Sequence, residues 1–358
     1  MQVLKNALGC DFVVDFPIER KDTKIKLLQL TDMQIIDSEQ RRTPDRLRDD
    51  EIIAWSPSRF NENCGDYVRS LIASTSPDLI FITGDMVYGS FDDNGTVMEW
   101  FCELMDSFSI PWAPVFGNHD NESARGVDWQ CGMLEKAKYC IFKRGEVTGN
   151  SNYSLGISVG GELIRVMYML DSNGAKNPSD PLVIAKRGIY PDQLEWVAKT
   201  AASIEEKAGR SVPSFMAFHF PTSEFREAEI AKGYRTEERV RYVIGVDTPS
   251  LDGDFGCCCA GKAPIEVDGF KNTLSVANTE AVFVGHCHAV NTVITYGKVT
   301  YAYGLKTGQY DYHNPYQLGG TLVRIDKKGF EISHAPALVM SSGFPGDSKI
   351  FDGLFVEN

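Results

Sequence analysis

Short apolar runs that end in polar, metal-competent residues recur along this chain. Ile25–Leu30 leads to Asp32, and Leu79–Ile82 leads through Gly84 to Asp85. Val115–Phe116 leads through Gly117 to Asn118 and His119, Phe215–Phe218 ends at His219, and Val282–Val284 leads through Gly285 to His286 and His288. Short, largely apolar runs of this kind read as buried strands. Helical spacing appears over Asp66–Thr75, Thr96–Phe108 and Gln193–Lys207, the last opened by Pro191-Asp192. Tyr153–Val159, Leu163–Leu170, Val290–Tyr296, Val299–Tyr303, Thr321–Ile325 and Phe330–Ser333 read as further strands. Tyr296-Gly297-Lys298 and Asp326-Lys327-Lys328-Gly329 are hairpin turns between two pairs of them. Such a mixture predicts an α/β fold of the α+β kind, a four-layer αββα sandwich of two mixed β-sheets flanked by helices. No repeat or linker divides the chain, so one domain over residues 1–358 is expected. Its core motifs occupy about 25–300, with strands and a tail over 301–358.

Composition adds exclusions. With 43% hydrophobic and 24% charged residues over 358 positions, a sizeable core is expected and global disorder is not. A formal charge of −13 works against nucleic acid as a partner, because that binding needs Lys and Arg over phosphates. It leaves a small phosphate-ester substrate open, since bound cations invert the field locally. The first residues lack the apolar stretch of a signal peptide, and no run is long enough to span a membrane, so the expected location is cytoplasmic. Nine cysteines without a disulfide-framework spacing fit reduced thiols, including the triplet Cys257-Cys258-Cys259.

A polar residue handed over at the carboxyl end of a buried strand is how open α/β sheets build sites. Five such hand-offs carrying Asp, Asn and His suit a pair of cations: carboxylates neutralise them, and imidazoles hold them without quenching their Lewis acidity. Two ions roughly 3.5–4 Å apart can clamp phosphoryl oxygens. Gly84, Gly117 and Gly285 precede ligand candidates, where a side chain would crowd the backbone.

The series Asp32-Met-Gln34, Gly84-Asp85-Met-Val-Tyr88, Gly117-Asn118-His119-Asp120, His219 and Gly285-His286-Cys-His288 resembles the calcineurin-like metallophosphoesterase superfamily, in its order. Phe116-Gly-Asn-His-Asp-Asn-Glu122, Leu170-Asp171-Ser172, Gln193 with Trp196, and Phe218-His219-Phe-Pro221 resemble its purple-acid-phosphatase-related branch. The resemblance implies a dinuclear phosphoesterase in which hydroxide held between two ions attacks phosphorus in line. Phosphomonoesters come first as substrates. Phosphodiesters, including cyclic nucleotides or nucleic-acid ends, are the alternative, as is a degenerate, non-catalytic metal-binding scaffold. By position, Asp85 would bridge both ions, with Asn118, His219 and His286 at the second and Asp32 and His288 at the first. His119 would act on the substrate as a catalytic residue, oriented by a carboxylate, Asp120 or another acid nearby.

The departure from the superfamily pattern is Gln34, which stands where most members have His. Tyr88 matches the ligand position of purple acid phosphatases, and reads either as a phenolate ligand or as a packed aromatic. A phenol of pKa about 10 becomes a ligand most readily on Fe(III), so Fe with Zn or Mn is the implied pair. Gln34 remains a candidate ligand or a partner of bound water. Arg125, close after the Asn-His-Asp turn, is the substrate-binding candidate. Arg41, Arg42, Arg46 and Arg48 alternate with Glu39, Asp45, Asp49 and Asp50 and read as a self-paired loop. Tyr310, Tyr312 and His313 either pack a substrate or cover the sheet, and His334 reads as structural.

Overall fold

The computed structural model describes residues 1–37, 39, 40, 42, 60–175, 180–231, 265–288, 290–311 and 318–337. Arg41, Arg46, Arg48, Asp45, Asp49, Asp50, the cysteine triplet 257–259, Tyr312, His313 and the tail from 338 lie outside the described residues.

Thirteen strands among the described residues form two mixed sheets. The smaller holds β3 (Ile25–Leu30), β4 (Leu79–Thr83), β5 (Trp112–Val115), β12 (Gly319–Ile325) and β13 (Phe330–Pro336), in the order β13-β12-β3-β4-β5. Here β3, β4 and β5 run parallel, and β12 and β13 are antiparallel additions. The larger sheet holds β1 (Gln2–Ala7), β2 (Cys10–Phe16), β6 (Tyr153–Val159), β7 (Glu162–Met169), β8 (Ser214–Ala217), β9 (Thr279–Val284), β10 (Val293–Tyr296) and β11 (Val299–Tyr303). Its order is β1-β2-β6-β7-β8-β9-β11-β10, with β7, β8, β9 and β11 parallel.

Side-chain alternation shows how the larger sheet is covered on both faces. Phe12, Val14, Phe16, Phe215, Ala217, Ala281 and Phe283 belong to the core shared with the smaller sheet. Their neighbours Val13, Met216, Phe218, Val282 and Val284 belong to a second core. That two-residue switch is the pleat of a strand. Helices α1 (Phe60–Thr75), α2 (Val97–Ser107) and α3 (Val127–Lys136) contribute to the shared core, and α4 (Pro191–Ala208), α5 (Ser223–Ala231) and α6 (Phe270–Val276) to the second. The result is the four-layer αββα sandwich expected from the pattern. In α1, buried Cys64, Tyr67, Val68 and Leu71 repeat at the spacing that puts one stripe inward.

Several boundaries moved. The helix read from Asp66 starts at Phe60, and the strand read from Val290 starts at Val293. Both hairpins occur where turn composition placed them, closing Tyr296 on Val299 and Ile325 on Phe330. The amino-terminal hairpin β1–β2 had no clear signal: β1 is a largely exposed edge strand, and Leu8 and Gly9 turn it with positive φ of 52° and 85°. No helix among the described residues is long and apolar enough to cross a membrane.

Phe283 joins the two sheets, its ring 5.2 Å from Phe81 and 5.3 Å from Phe215, edge to face in both cases. Phe283→Ala should cost about 3–5 kcal/mol by urea denaturation. A loss well under about 1 kcal/mol would place the ring outside the layer contact.

Candidate metal centre

All five hand-offs sit at carboxyl ends of strands: Asp32 after β3, Asp85 after β4, Asn118 and His119 after β5, His219 after β8, His286 and His288 after β9. The two sheets are tied at this edge. Gln29 Nε2 donates to Val284 O at 3.0 Å, and His219 Nδ1 donates to Thr83 O at 2.8 Å. The chain turns sharply here, and Asp32, Gln34, Asp85 and His286 all take positive φ, between 47° and 67°. Non-glycine residues in that region mark strained, over-determined sites.

Asp32 and Asp85 are both about 1% exposed. Backbone amides hold them from the opposite sheet and the neighbouring loop: His286 N donates to Asp32 Oδ2 at 2.9 Å, and His119 N to Asp85 Oδ1 at 2.8 Å. Burial pushes both carboxyls up, but adjacent imidazoles outweigh it, so both end below the usual carboxylate range. Asp32, Asp85 and His219 offer ligand atoms all within 4.8 Å of one another, a group that could hold a metal ion.

The bond to Thr83 O uses the Nδ1–H of His219 and leaves Nε2 facing Asn118 Oδ1 at 3.1 Å, His286 Nδ1 at 3.3 Å and Asp85 Oδ2 at 3.4 Å. An imidazole fixed by a carbonyl on one nitrogen is the usual arrangement of a metal-binding histidine. Burial lowers the His219 pKa, but the charge of Asp85 raises it to about 9. A proton and a cation would therefore compete for this lone pair. His288 Nε2 lies 3.3 Å from Asp32 Oδ1. Burial and the charge of Lys306 lower its pKa, which favours the neutral form.

His119 is oriented by Glu122. Its Nδ1 lies 2.8 Å from Glu122 Oε2, and both side chains are buried. Burial lowers the His119 pKa, yet Asp85 and the Glu122 bond together raise it above the ordinary histidine value. Asp120, the first acid considered for this role, is committed elsewhere. Its Oδ2 accepts from Asp85 N and Gly117 N at 2.8 and 2.7 Å, and its Oδ1 from Val87 N at 3.0 Å. Asp120 thus ties the β4 and β5 loops together. Burial and the neighbouring Asp85 raise its pKa to about 7.

Gln34 places Nε2 3.3 Å from Asp85 Oδ2, and its Oε1 accepts from Lys306 Nζ at 2.9 Å. Tyr88 is buried with its ring 4.2 Å from that of His119 and 4.8 Å from that of Phe91. Arg125 lies over the Trp129 ring at 4.4 Å. Arg42 pairs with Asp93 and donates to Ser90 O. Tyr310 is fully buried. His334 bridges Thr321 Oγ1 and Asn291 O at 3.0 and 2.7 Å, a structural position in which burial lowers its pKa to about 4.

Supporting residues come from the other quoted motifs. Ser172 Oγ accepts from His219 N and Phe220 N, and Gln193 Nε2 donates to Asn152 Oδ1 and Asp171 O. Lys306 and Asp311 were not singled out from sequence. Lys306 lies 20 residues beyond His286 with no motif around it. Asp311 is buried, at φ 60°, and its charge adds to the raising of the His119 pKa and opposes the lowering of those of His288 and Lys306.

The residues fit a metal centre on two grounds. The donors are carboxylates, imidazoles and an amide oxygen, the set for hard and borderline cations. The backbone also leaves these atoms space that any larger residue would take. A Cβ on Gly117 would meet Asp85 Oδ1 at 2.2 Å, and one on Gly285 would meet Thr31 Oγ1 at 2.0 Å and Asp32 Oδ2 at 2.7 Å.

Similarity to known proteins was found at three levels. An Arabidopsis thaliana protein named "probable inactive purple acid phosphatase 28" is 27% identical over 326 residues, covering 83% of this chain and 73% of that protein. The Saccharomyces cerevisiae phosphatase DCR2 is 24% identical over 259 residues, covering 66% of this chain but only 42% of its own length. A dimetal phosphatase structure from Danio rerio superposes with a TM-score of 0.49 at 11% identity, covering 87% of this chain and 96% of that one. The calcineurin-like phosphoesterase family model matches residues 25–248, which hold four of the five strand-end hand-offs, and the chain belongs to that family.

Proposed function

We propose that this chain is a metal-dependent phosphoesterase that hydrolyses small phosphate monoesters. The observation that carries this reading is the meeting of two buried carboxylates with the His219 Nε2 lone pair, beside a histidine oriented by its own acid. Asp85, Asn118, His219 and His286 would hold one ion, and Asp32, Asp85 and His288 the other. Bound cations supply Lewis acidity toward phosphoryl oxygens and lower the pKa of water. The protein does the rest. Glu122 holds His119 Nδ1, so the proton on Nε2 can pass to the leaving oxygen. Asp120 keeps the Asp85 and Gly117 backbones in place, and Thr83 fixes the tautomer of His219.

Iron with zinc or manganese is the ion pair we propose, with Tyr88 as the residue that would distinguish it. We place the protein in the cytoplasm, in keeping with six free cysteines among the described residues. A second reading, a metal-binding scaffold without turnover, has one observation in its favour: the amide of Gln34 is engaged by Lys306 at the position where the superfamily resemblance implies an imidazole.

Metal analysis with turnover of a generic aryl phosphate tests the main reading, and a chelator should abolish that turnover. Asp85→Asn should reduce activity to background. His119→Ala should lower kcat by about a hundredfold or more while leaving metal content intact. A silent, metal-loaded wild type would favour the scaffold. A visible absorption band removed by Tyr88→Phe would identify Fe(III) on a phenolate, and a colourless active protein would rule it out. Glu122→Gln should bring the His119 pKa, followed by NMR, down toward the ordinary value. Because His119 is raised when folded, its pairing stabilises the protein below the unfolded histidine pKa and fades as pH rises through the folded one. The melting-temperature gap between wild type and Glu122→Gln should therefore shrink on going from pH 5 to higher pH.

A further inference from the structure

We infer that Lys306 is a positioning residue that turns the Gln34 amide away from ion binding and so makes the two positions unequal toward divalent cations, the one at Asp32 and His288 being weaker. The inference rests on the two-cation reading above and deepens it.

After β11 the chain runs back along the loop that follows β3. Thr307 N donates to Thr31 O at 2.8 Å, and Thr31 N donates to Thr307 Oγ1 at 3.1 Å. A Cβ on Gly308 would sit 2.1 Å from Met33 O, so the two segments are in direct backbone contact. Lys306 is delivered rigidly by this pairing. It is about 1% exposed, and its Nζ donates to Asp32 O at 2.7 Å and to Gln34 Oε1 at 2.9 Å.

A lysine amine offers donors here, so the amide oxygen of Gln34 must face it. The amide nitrogen then points to Asp85 Oδ2, 3.3 Å away, where a carboxylate wants a donor. The opposite rotamer would set N–H against N–H and oxygen against oxygen, so both neighbours enforce one orientation. Gln34 therefore presents N–H groups, not a lone pair, toward the bridging carboxylate. Asp32, Asp85 and His288 remain for one ion, against Asp85, Asn118, His219 and His286 for the other. A divalent ion recruits a phenol of pKa about 10 poorly, so Tyr88 does not restore the balance.

The test is Mn²⁺ titration of metal-free protein by calorimetry and electron paramagnetic resonance. Wild type should show a tight step and a second one weaker by about tenfold or more. Lys306→Met should strengthen the weak step by about tenfold and leave the tight step unchanged. Structural damage cannot tighten one step selectively, and thermal melts monitor folding. In the double variant Lys306→Met/Gln34→Leu the weak step should fall back to its wild-type strength or below, because only the released amide oxygen tightens it and not the loss of the lysine charge. Two equal steps in wild type, an unaltered weak step in Lys306→Met, or a tightened step kept in the double variant would overturn the inference. Should Lys306→Met fail to fold, the two wild-type steps decide alone. Turnover of an aryl phosphate on the same samples separates the two ideas. Unequal steps without turnover sink the hydrolase reading only, and equal steps with turnover sink only this one.

Discussion

Two carboxylates buried side by side, Asp32 and Asp85, set the terms for the rest of the molecule. Burial works against the charge of both, the charge of Asp85 adds to this at Asp32, and neither is tolerable without compensation. The compensation arrives from every surrounding element. Backbone amides come from His119 and His286, a hydroxyl from Thr31, and imidazoles from β8 and β9. A cluster so arranged attracts positive charge, and protons and a metal ion would compete for it on the same atoms.

That arrangement also explains why the backbone is bent where it is. Left-handed turns at Asp32, Asp85 and His286 swing the side chains inward from the strand ends. Such conformations cost about 1–3 kcal/mol each and persist only when their surroundings hold them. Here the holders are visible. Asp32 N donates to Gly84 O, Gln34 N to Asp85 O, and Asp120 grips the amides of Asp85, Val87 and Gly117. The sandwich behind them is closed by Gln29 and His219, each bonding across from one sheet to the other. Core packing and site geometry are therefore coupled through the same strand ends.

Some parts of this were readable in the chain and others were not. The parallel strands β3, β4, β8 and β9 are covered on both faces, so they appear as largely apolar runs, broken in β3 by Lys26 and Gln29, and their polar exits stand out. The short helices α3, α5 and α6 escaped notice, since ten, nine and seven residues give few repeats of the helical period. The β1–β2 hairpin escaped because an exposed edge strand carries little apolar pattern. Glu122 lies three residues after His119 within a quoted motif, yet composition could not rank it above Asp120.

The order of residue types along the chain determined the layered architecture, the candidate donors and the strand ends that carry them, because burial on both faces of a strand leaves a mark in linear sequence. Pairings between distant segments decided the finer roles. Asp120 became a loop tie, Glu122 the partner of His119, and Lys306 the neighbour of Gln34 across some 270 residues. Hydrogen bonds of this kind depend on which atoms fall within about 3 Å, a distance that packing sets and that no periodicity in the chain encodes.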